Sequence, residues 1–347
     1  MHACVFSSFL VCFSLKHNLK GEKSLEKKEN MCEEKKISFV IPCYNSENTI
    51  RPVVDEIIQV MMEKPECSFE IIMVNDSSTD GVLEILKELA KKNSACKVLD
   101  FAINAGQQSA LMAGLAYSRG ETIVFLDDDF QCPVNELWKL IKPLEEGYDV
   151  SYAKYPKKKE SLFRTAGSSF NDWMCSLFLD KPKQLQLSNF VAFKRFIAQE
   201  MLQYQNPYPY IDGLILRSTR RIVNVEMEER ERLSGETNYT IHKLIHLFLN
   251  EFTSFSIKPL RIATMTGMLS AVAGIVYMIV IVLMKILRTD IDAGYSSLMA
   301  VQLFIGGVIM ILLGLCGEYL GRIYISINKS PQYVIRDIYD EETRKEK

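Results

Sequence analysis

The stretch "IVFLDDDFQCP", residues 123 to 133, ends a run of four apolar residues in three adjacent carboxylates, Asp127, Asp128 and Asp129. Two like charges about 4 Å apart repel by roughly 4 kcal/mol at an effective dielectric of about 20, so three beside a packed strand call for a positive charge among them. Aspartates offer hard oxygen ligands that suit Mg2+ or Mn2+, and these ions usually complete their shell with substrate phosphates. If the extended geometry continues past the apolar run, Asp127, Asp129 and Gln131 project to one side and form the candidate ligand set. The competing reading is a solvated acidic turn that caps a helix starting near Pro133.

The elements that must position this cluster are legible as alternating periods. Short apolar runs, "ISFVIP" from residue 37, "FEIIMVND" from 69, "KVLDF" from 97, "TIVFLDDD" from 122 and "YDVSYA" from 148, alternate with helical patterns up to about residue 150. Such alternation with short connections predicts an α/β fold, a mostly parallel sheet with helices on both faces. In sheets of this kind ligands bind beyond the carboxyl ends of the strands. Those ends carry Pro42, Cys43, Tyr44 and Asn45, then Asn75 and Asp76, then the three aspartates, so polar and acidic groups converge on one rim.

The chain has 347 residues, 48% hydrophobic and 24% charged, with a formal net charge of -2, so bulk charge gives no argument for a nucleic-acid partner and none is expected. Nine cysteines show no CxxC pair and no zinc-ligand spacing, which reads as free thiols of a reducing compartment. Residues 1 to 36 form an N-terminal extension, apolar then charged and expected to be disordered, with Met31 a candidate start.

Residues 262 to 284 and 298 to 315 contain no charge. About 20 helical residues at about 1.5 Å each cross a hydrocarbon core of roughly 30 Å, so the two stretches predict a two-helix transmembrane hairpin within residues 262 to 320. Basic residues on the outer flanks, among them Lys243, Lys258, Arg261, Arg322 and Arg336, predict that the large domain and the tail from 321 to 347 are cytoplasmic. Before the hairpin, residues 236 to 261 carry apolar positions at helical spacing, which suits a helix in the membrane interface and equally an ordinary core helix. Gly306, Gly307, Gly314, Gly317 and Gly321 would permit close helix packing, within the hairpin or between subunits.

Five motifs in order, "VIPCYNSENTI", "EIIMVNDSSTDG", "NAGQQSALMAG", "DDDFQCP" and "ERERLSGETNY", followed by two apolar helices and "GEYLGRIYISINKSPQY", resemble the inverting glycosyltransferases of family 2. The nearest resemblance is to their polyprenyl-phosphate branch, which holds dolichol-phosphate mannose synthase and bacterial undecaprenyl-phosphate glucosyltransferases. It implies a GT-A-like nucleotide-sugar-binding domain over residues 37 to 235. It also implies a nucleotide-sugar donor, UDP-linked rather than GDP-linked, a polyprenyl phosphate acceptor in a lipid membrane, Mg2+ or Mn2+, and a homo-oligomer.

Carried over by position, Pro42, Tyr44, Glu47, Val74 and Asp76 contact the nucleotide, and Asp128 lies beside the sugar nucleotide. The resemblance gives Asp127, Asp129 and Gln131 to the metal. Lys154 stands near the phosphates and the lipid phosphate, with Arg164 in the basic loop "YPKKKESLFR", while Arg232 contacts the diphosphate. Asp212 stands where relatives carry an acceptor-side acid, a candidate orienting group or base. There are departures: Glu47 stands one residue later than in "PTYNE", and Asn238 replaces a lysine in "GETN". Two other readings stay open, an inactive nucleotide-sugar-binding membrane scaffold and a family 2 enzyme with another cell-surface glycan acceptor. The pair His242 and His246 lacks the glutamate of HExxH, so a metalloprotease finds no support.

Overall fold

The computed structural model describes residues 36–156, 181–182, 184–228, 230, 258–287, 295–328 and 330–340. The extension before residue 36, Arg164, Arg232, the "LSGETNY" loop, most of the expected interface helix and the last seven residues lie outside the described residues.

Among the described residues eight strands form one sheet: β1 (Ile37–Cys43), β2 (Phe69–Asn75), β3 (Cys96–Phe101), β4 (Thr122–Phe125), β5 (Val150–Lys154), β6 (Val191–Lys194), β7 (Ile222–Glu226) and β8 (Ile335–Tyr339). Their order is β7-β5-β6-β4-β1-β2-β3-β8. β1 pairs in parallel with β2 and β4, β2 with β3, and β5 with β7, whereas β6 runs antiparallel between β4 and β5 and β8 antiparallel along β3. Every residue of β1 is buried, as expected of a central strand covered on both faces.

Among the described residues six α-helices accompany the sheet: α1 (Ile50–Met62), α2 (Val82–Lys92), α3 (Gln107–Tyr117), α4 (Leu137–Glu145), α5 (Arg195–Leu202) and α6 (Ile211–Ser218). α1 buries Ile50, Val53, Val54, Ile57, Val60 and Met61, the three-four spacing of one helical face. α3 differs, because every residue from Ser109 to Leu115 is buried. Its small residues let it lie close to the sheet: a Cβ at Gly114 would run into Val40 Cγ1.

The strand expected to run through Asp129 stops at Phe125. Residues 128 to 130 bend, with Phe130 at φ 65°, so the premise that alternate residues share a side does not hold beyond Leu126. β6, α5 and α6 lie in a region whose period was not legible, and β8 lies in the segment read only as a tail.

Two long helices, α7 (Lys258–Leu287) and α8 (Tyr295–Ile327), coincide with the apolar stretches. Among the described residues one segment is long and apolar enough to cross a membrane, Phe304–Ile327, with mean hydropathy 1.8 and none of its most apolar window buried; Ala263–Tyr277 is a shorter apolar helix. Among the described residues, nothing outside the helix's own backbone and the adjoining residues lies within 4 Å of where a Cβ would stand at Gly306, Gly307, Gly314, Gly317 or Gly321.

Candidate active site

The loops leaving β1, β2 and β4 meet at the carboxyl rim and line a cleft of about 550 Å³ with Pro42, Tyr44, Asp76, Gln107, the three aspartates and Asn189. These loops are tightly turned, since Asn45, Ser77 and Phe130 all adopt left-handed backbone, at φ 53°, 54° and 65°. Non-glycine residues hold such angles only where surrounding contacts enforce them.

Asp127, Asp128 and Asp129 all reach the cleft, as three consecutive residues of a bend. Asp127 accepts from the Gln107 side-chain amide at 2.7 Å and from the Asn189 amide at 2.5 Å, one on each oxygen. Asp128 accepts the Tyr44 N–H at 3.2 Å, and Asp129 accepts the Gln131 N–H at 3.1 Å. All four donors are neutral, so none of them offsets the three negative charges. Burial pushes the Asp128 carboxyl up to about 6, the Tyr44 N–H opposes the shift and the Asp129 charge adds to it. The donor set, carboxylate oxygens turned into a polar cleft, has the chemistry a hard divalent cation requires. Among the described residues no group of three or more His, Cys, Asp or Glu side chains is placed to hold a metal ion by itself, so a cation here would draw further ligands from a bound substrate.

Gln131 is not part of that lining. Its backbone serves Asp129, and its side-chain amide points to the Arg230 carbonyl at 3.5 Å, because the bend at Phe130 turns it away. Of the expected Asp127, Asp129, Gln131 set, the two aspartates line the cleft.

Tyr44 is 52% exposed at the mouth, so it does not simply pack. Asp76 lies in the cleft wall, where its two oxygens accept the N–H groups of Ala105 at 2.6 Å and Gly106 at 2.9 Å. It thereby holds the start of α3, with Gly106 at φ 86°; burial raises its carboxyl and the two N–H groups oppose this. The expected Val74 and Glu47 are not among the residues that line this cleft. Val74 is fully buried under α3 beside Gly114, since successive side chains of a strand alternate faces. Glu47 accepts the Gly81 N–H at 2.9 Å, in the loop between β2 and α2.

Two further expected residues also sit elsewhere. Lys154 pairs with Glu226 at 2.9 Å and lines a second cleft of about 610 Å³ with Tyr155 and Gln186. Asp212, in the first turn of α6, accepts the Tyr152 hydroxyl at 2.8 Å and is not in the aspartate cleft. Burial pushes its carboxyl up to about 6, against the pull of Tyr152 and Lys181.

The geometry adds residues that motif reading left unassigned. Gln107 and Asn189 hold Asp127, and the neighbouring Gln108 accepts the Ile211 N–H at 2.8 Å, tying α6 to α3. Arg230 makes a bidentate pair with Glu56 of α1 at 2.7 and 2.8 Å and reaches Asn135 at 2.6 Å. Gln107 stands in the motif "NAGQQSALMAG" and Arg230 in "ERERLSGETNY", without a role assigned to either, whereas Asn189 carries no local signal.

Comparison with known proteins places this geometry among relatives. Residues 38–204 match the model described as Glycosyl transferase family 2, and residues 258–323 match the GtrB C-terminal hairpin. An uncharacterized glycosyltransferase of Bacillus subtilis is 33% identical over 309 residues, 89% of this chain and 95% of the relative. The undecaprenyl-phosphate 4-deoxy-4-formamido-L-arabinose transferase of Proteus mirabilis is 30% identical over 87% of this chain and 94% of its own length. A prophage bactoprenol glucosyl transferase homolog of Escherichia coli is 31% identical over 87% of this chain and 99% of its own.

Proposed function

Because the chain belongs to glycosyltransferase family 2, we propose that it moves a hexose-type sugar from a nucleotide sugar, a UDP-sugar by preference, to a polyprenyl phosphate at the cytoplasmic face of a membrane. The observation that carries this reading is that the three-aspartate cleft opens on the rim to which the apolar helix α8 returns through β8. A soluble donor and a lipid-borne acceptor can meet there. The names of the Proteus and Escherichia relatives support the acceptor class.

In this reading the exposed Tyr44 ring and Pro42 flank the base, and Asp76 faces it with the lone pairs that Ala105 and Gly106 leave over. Asp127 and Asp129 would hold Mg2+ or Mn2+, which when bound supplies positive charge to the departing diphosphate. Asp128, oriented by the Tyr44 N–H, stands beside the sugar. Arg232, two residues beyond the Arg230 anchor, is assigned to the diphosphate, and Lys154 and Arg164 to the acceptor phosphate. The exposed Lys154–Glu226 pair opposes that little, since such pairs are worth about 0–1 kcal/mol.

A lipid phosphate with a second pKa of about 6 is largely ionised at neutral pH, so a strong general base is unnecessary. That agrees with the distance of Asp212 from the cleft, and we assign Asp212 to positioning α6. The acceptor oxygen bonds to the anomeric carbon as the bond to the diphosphate breaks, so an α-linked donor yields a β-linked lipid phosphate sugar.

The test is turnover of the full chain in reconstituted membranes with undecaprenyl phosphate, Mg2+ or Mn2+, and a panel of UDP- and GDP-sugars. Lipid-dependent nucleotide release with one donor, lost in Asp129→Ala and giving an inverted anomer by NMR, is the expected result. Donor binding without turnover on any polyprenyl phosphate would overturn the acceptor assignment.

A further inference from the structure

The junction between α8 and the sheet gathers exposed apolar side chains from three separate loops. Ser326, in the last turn of α8, donates to Asn206 Oδ1 at 2.6 Å, and the Gln332 amide donates to the carbonyls of Tyr204 and Asn206 at 2.7 and 2.8 Å. Tyr333 stacks on Phe101 at 5.3 Å, and the Ala102 N–H donates to the Val334 carbonyl at 2.8 Å. Each anchored loop then turns one large apolar residue outward: Ile103 is 62% exposed, Tyr208 56% and Val334 42%. Tyr208 holds its position at φ 61° between Pro207 and Pro209, a backbone state unfavourable to a bulky residue.

All three follow or precede elements at the carboxyl rim, and Ile103 directly precedes Asn104 of the aspartate cleft. In the last turn of α8, which Ser326 ties to the Tyr208 loop through Asn206, Tyr324 and Ile327 are 68% and 73% exposed. Aromatic and aliphatic side chains ringing the end of an apolar helix match the composition of a membrane interface, and tyrosine is enriched at headgroup depth.

We propose that Ile103, Tyr208 and Val334 form a collar that seats the carboxyl rim on the lipid surface around α8. The inference rests on the reading of α8 as a membrane helix. The collar fixes the height and tilt of the cleft, so that it opens toward the lipid headgroups.

The test is tryptophan quenching in the full chain, reconstituted in phosphatidylcholine vesicles with plain or brominated acyl chains. Four substitutions are compared with the parent, whose Trp138 and Trp173 set the baseline: Tyr208→Trp, Ile103→Trp, Leu313→Trp within α8, and Tyr148→Trp at the opposite rim. Expected are losses of emission in brominated lipid above the parent's for Tyr208→Trp, Ile103→Trp and Leu313→Trp, and none for Tyr148→Trp. Quenching at Leu313→Trp alone overturns the collar and leaves the membrane helix standing. No quenching at Leu313→Trp overturns the membrane reading and the collar with it. A blue-shifted but unquenched Tyr208→Trp overturns the collar in favour of a contact with a second copy of the chain.

Discussion

The Asn189 amide lies 2.5 Å from Asp127 Oδ2 while Gln107 holds Oδ1 at 2.7 Å, so residues 82 positions apart grip the two oxygens of one carboxylate. Each donor orients one oxygen of a carboxylate that lines the cleft. Asn189→Ala and Gln107→Ala should therefore weaken Mn2+ binding in the presence of UDP. A hydrogen bond to a charged group is worth about 1.5–3 kcal/mol, and in this exposed site the lower figure, about tenfold in affinity, is expected. Electron paramagnetic resonance titration of Mn2+ measures it, and unchanged affinity in both variants would remove the clamp.

Arg230 and Glu56 predict a different signature. Their bidentate pair ties residue 230, at the entry to the segment bearing Arg232, to α1. Arg230→Ala and Glu56→Ala should each lower kcat/KM, and the double variant should be no worse than either single one, with a coupling of about 1–3 kcal/mol. Arg230→Lys should not restore activity, because an ammonium cannot form the fork. Additive losses in the cycle would dismiss the anchor.

Asp212 sets a pH dependence of stability. Its carboxyl rises from the ordinary 3.8 to about 6, with burial the main cause, so the folded state holds the proton more tightly than the unfolded chain does. The resulting stability is complete below about 3.8 and is lost as pH rises through about 6. In Asp212→Asn, which keeps an acceptor for Tyr152, that loss is absent. The variant should match the parent near pH 4 and exceed it by on the order of 2–3 kcal/mol above pH 7, as two pKa units imply. Melting curves across that range decide it; a parallel pH dependence in parent and variant contradicts the assignment.

Gly114 predicts a packing defect. A Cβ there meets Val40 Cγ1 in β1, and overpacking of a filled core costs about 1–3 kcal/mol. Gly114→Ala should lower the melting temperature, and Val40→Ala combined with it should recover part of the loss. A double variant no better than the single one would show that α3 relieves the contact by moving.

Much of this architecture follows from local pattern. The strands and helices up to residue 154, the acidic rim and the apolar C-terminal helices are legible because hydrophobic period and composition are local properties. The gathering of Asp127, Asp128 and Asp129 beside Pro42, Tyr44 and Asp76 follows in turn from parallel strands ending on one side.

Tertiary structure alone decided the rest. Phe130 bends the chain so that three consecutive aspartates, rather than alternate residues, enter the cleft and Gln131 leaves it. β6 inserts antiparallel between β4 and β5, bringing Asn189 to Asp127, and β8 returns from the far end of the chain to the edge of β3. Lys154 meets Glu226, and Asp212 meets Tyr152, across 72 and 60 residues. No local period encodes such pairings: strand order and register are chosen by burying the whole sheet at once, and only that choice determines which polar side chain faces which.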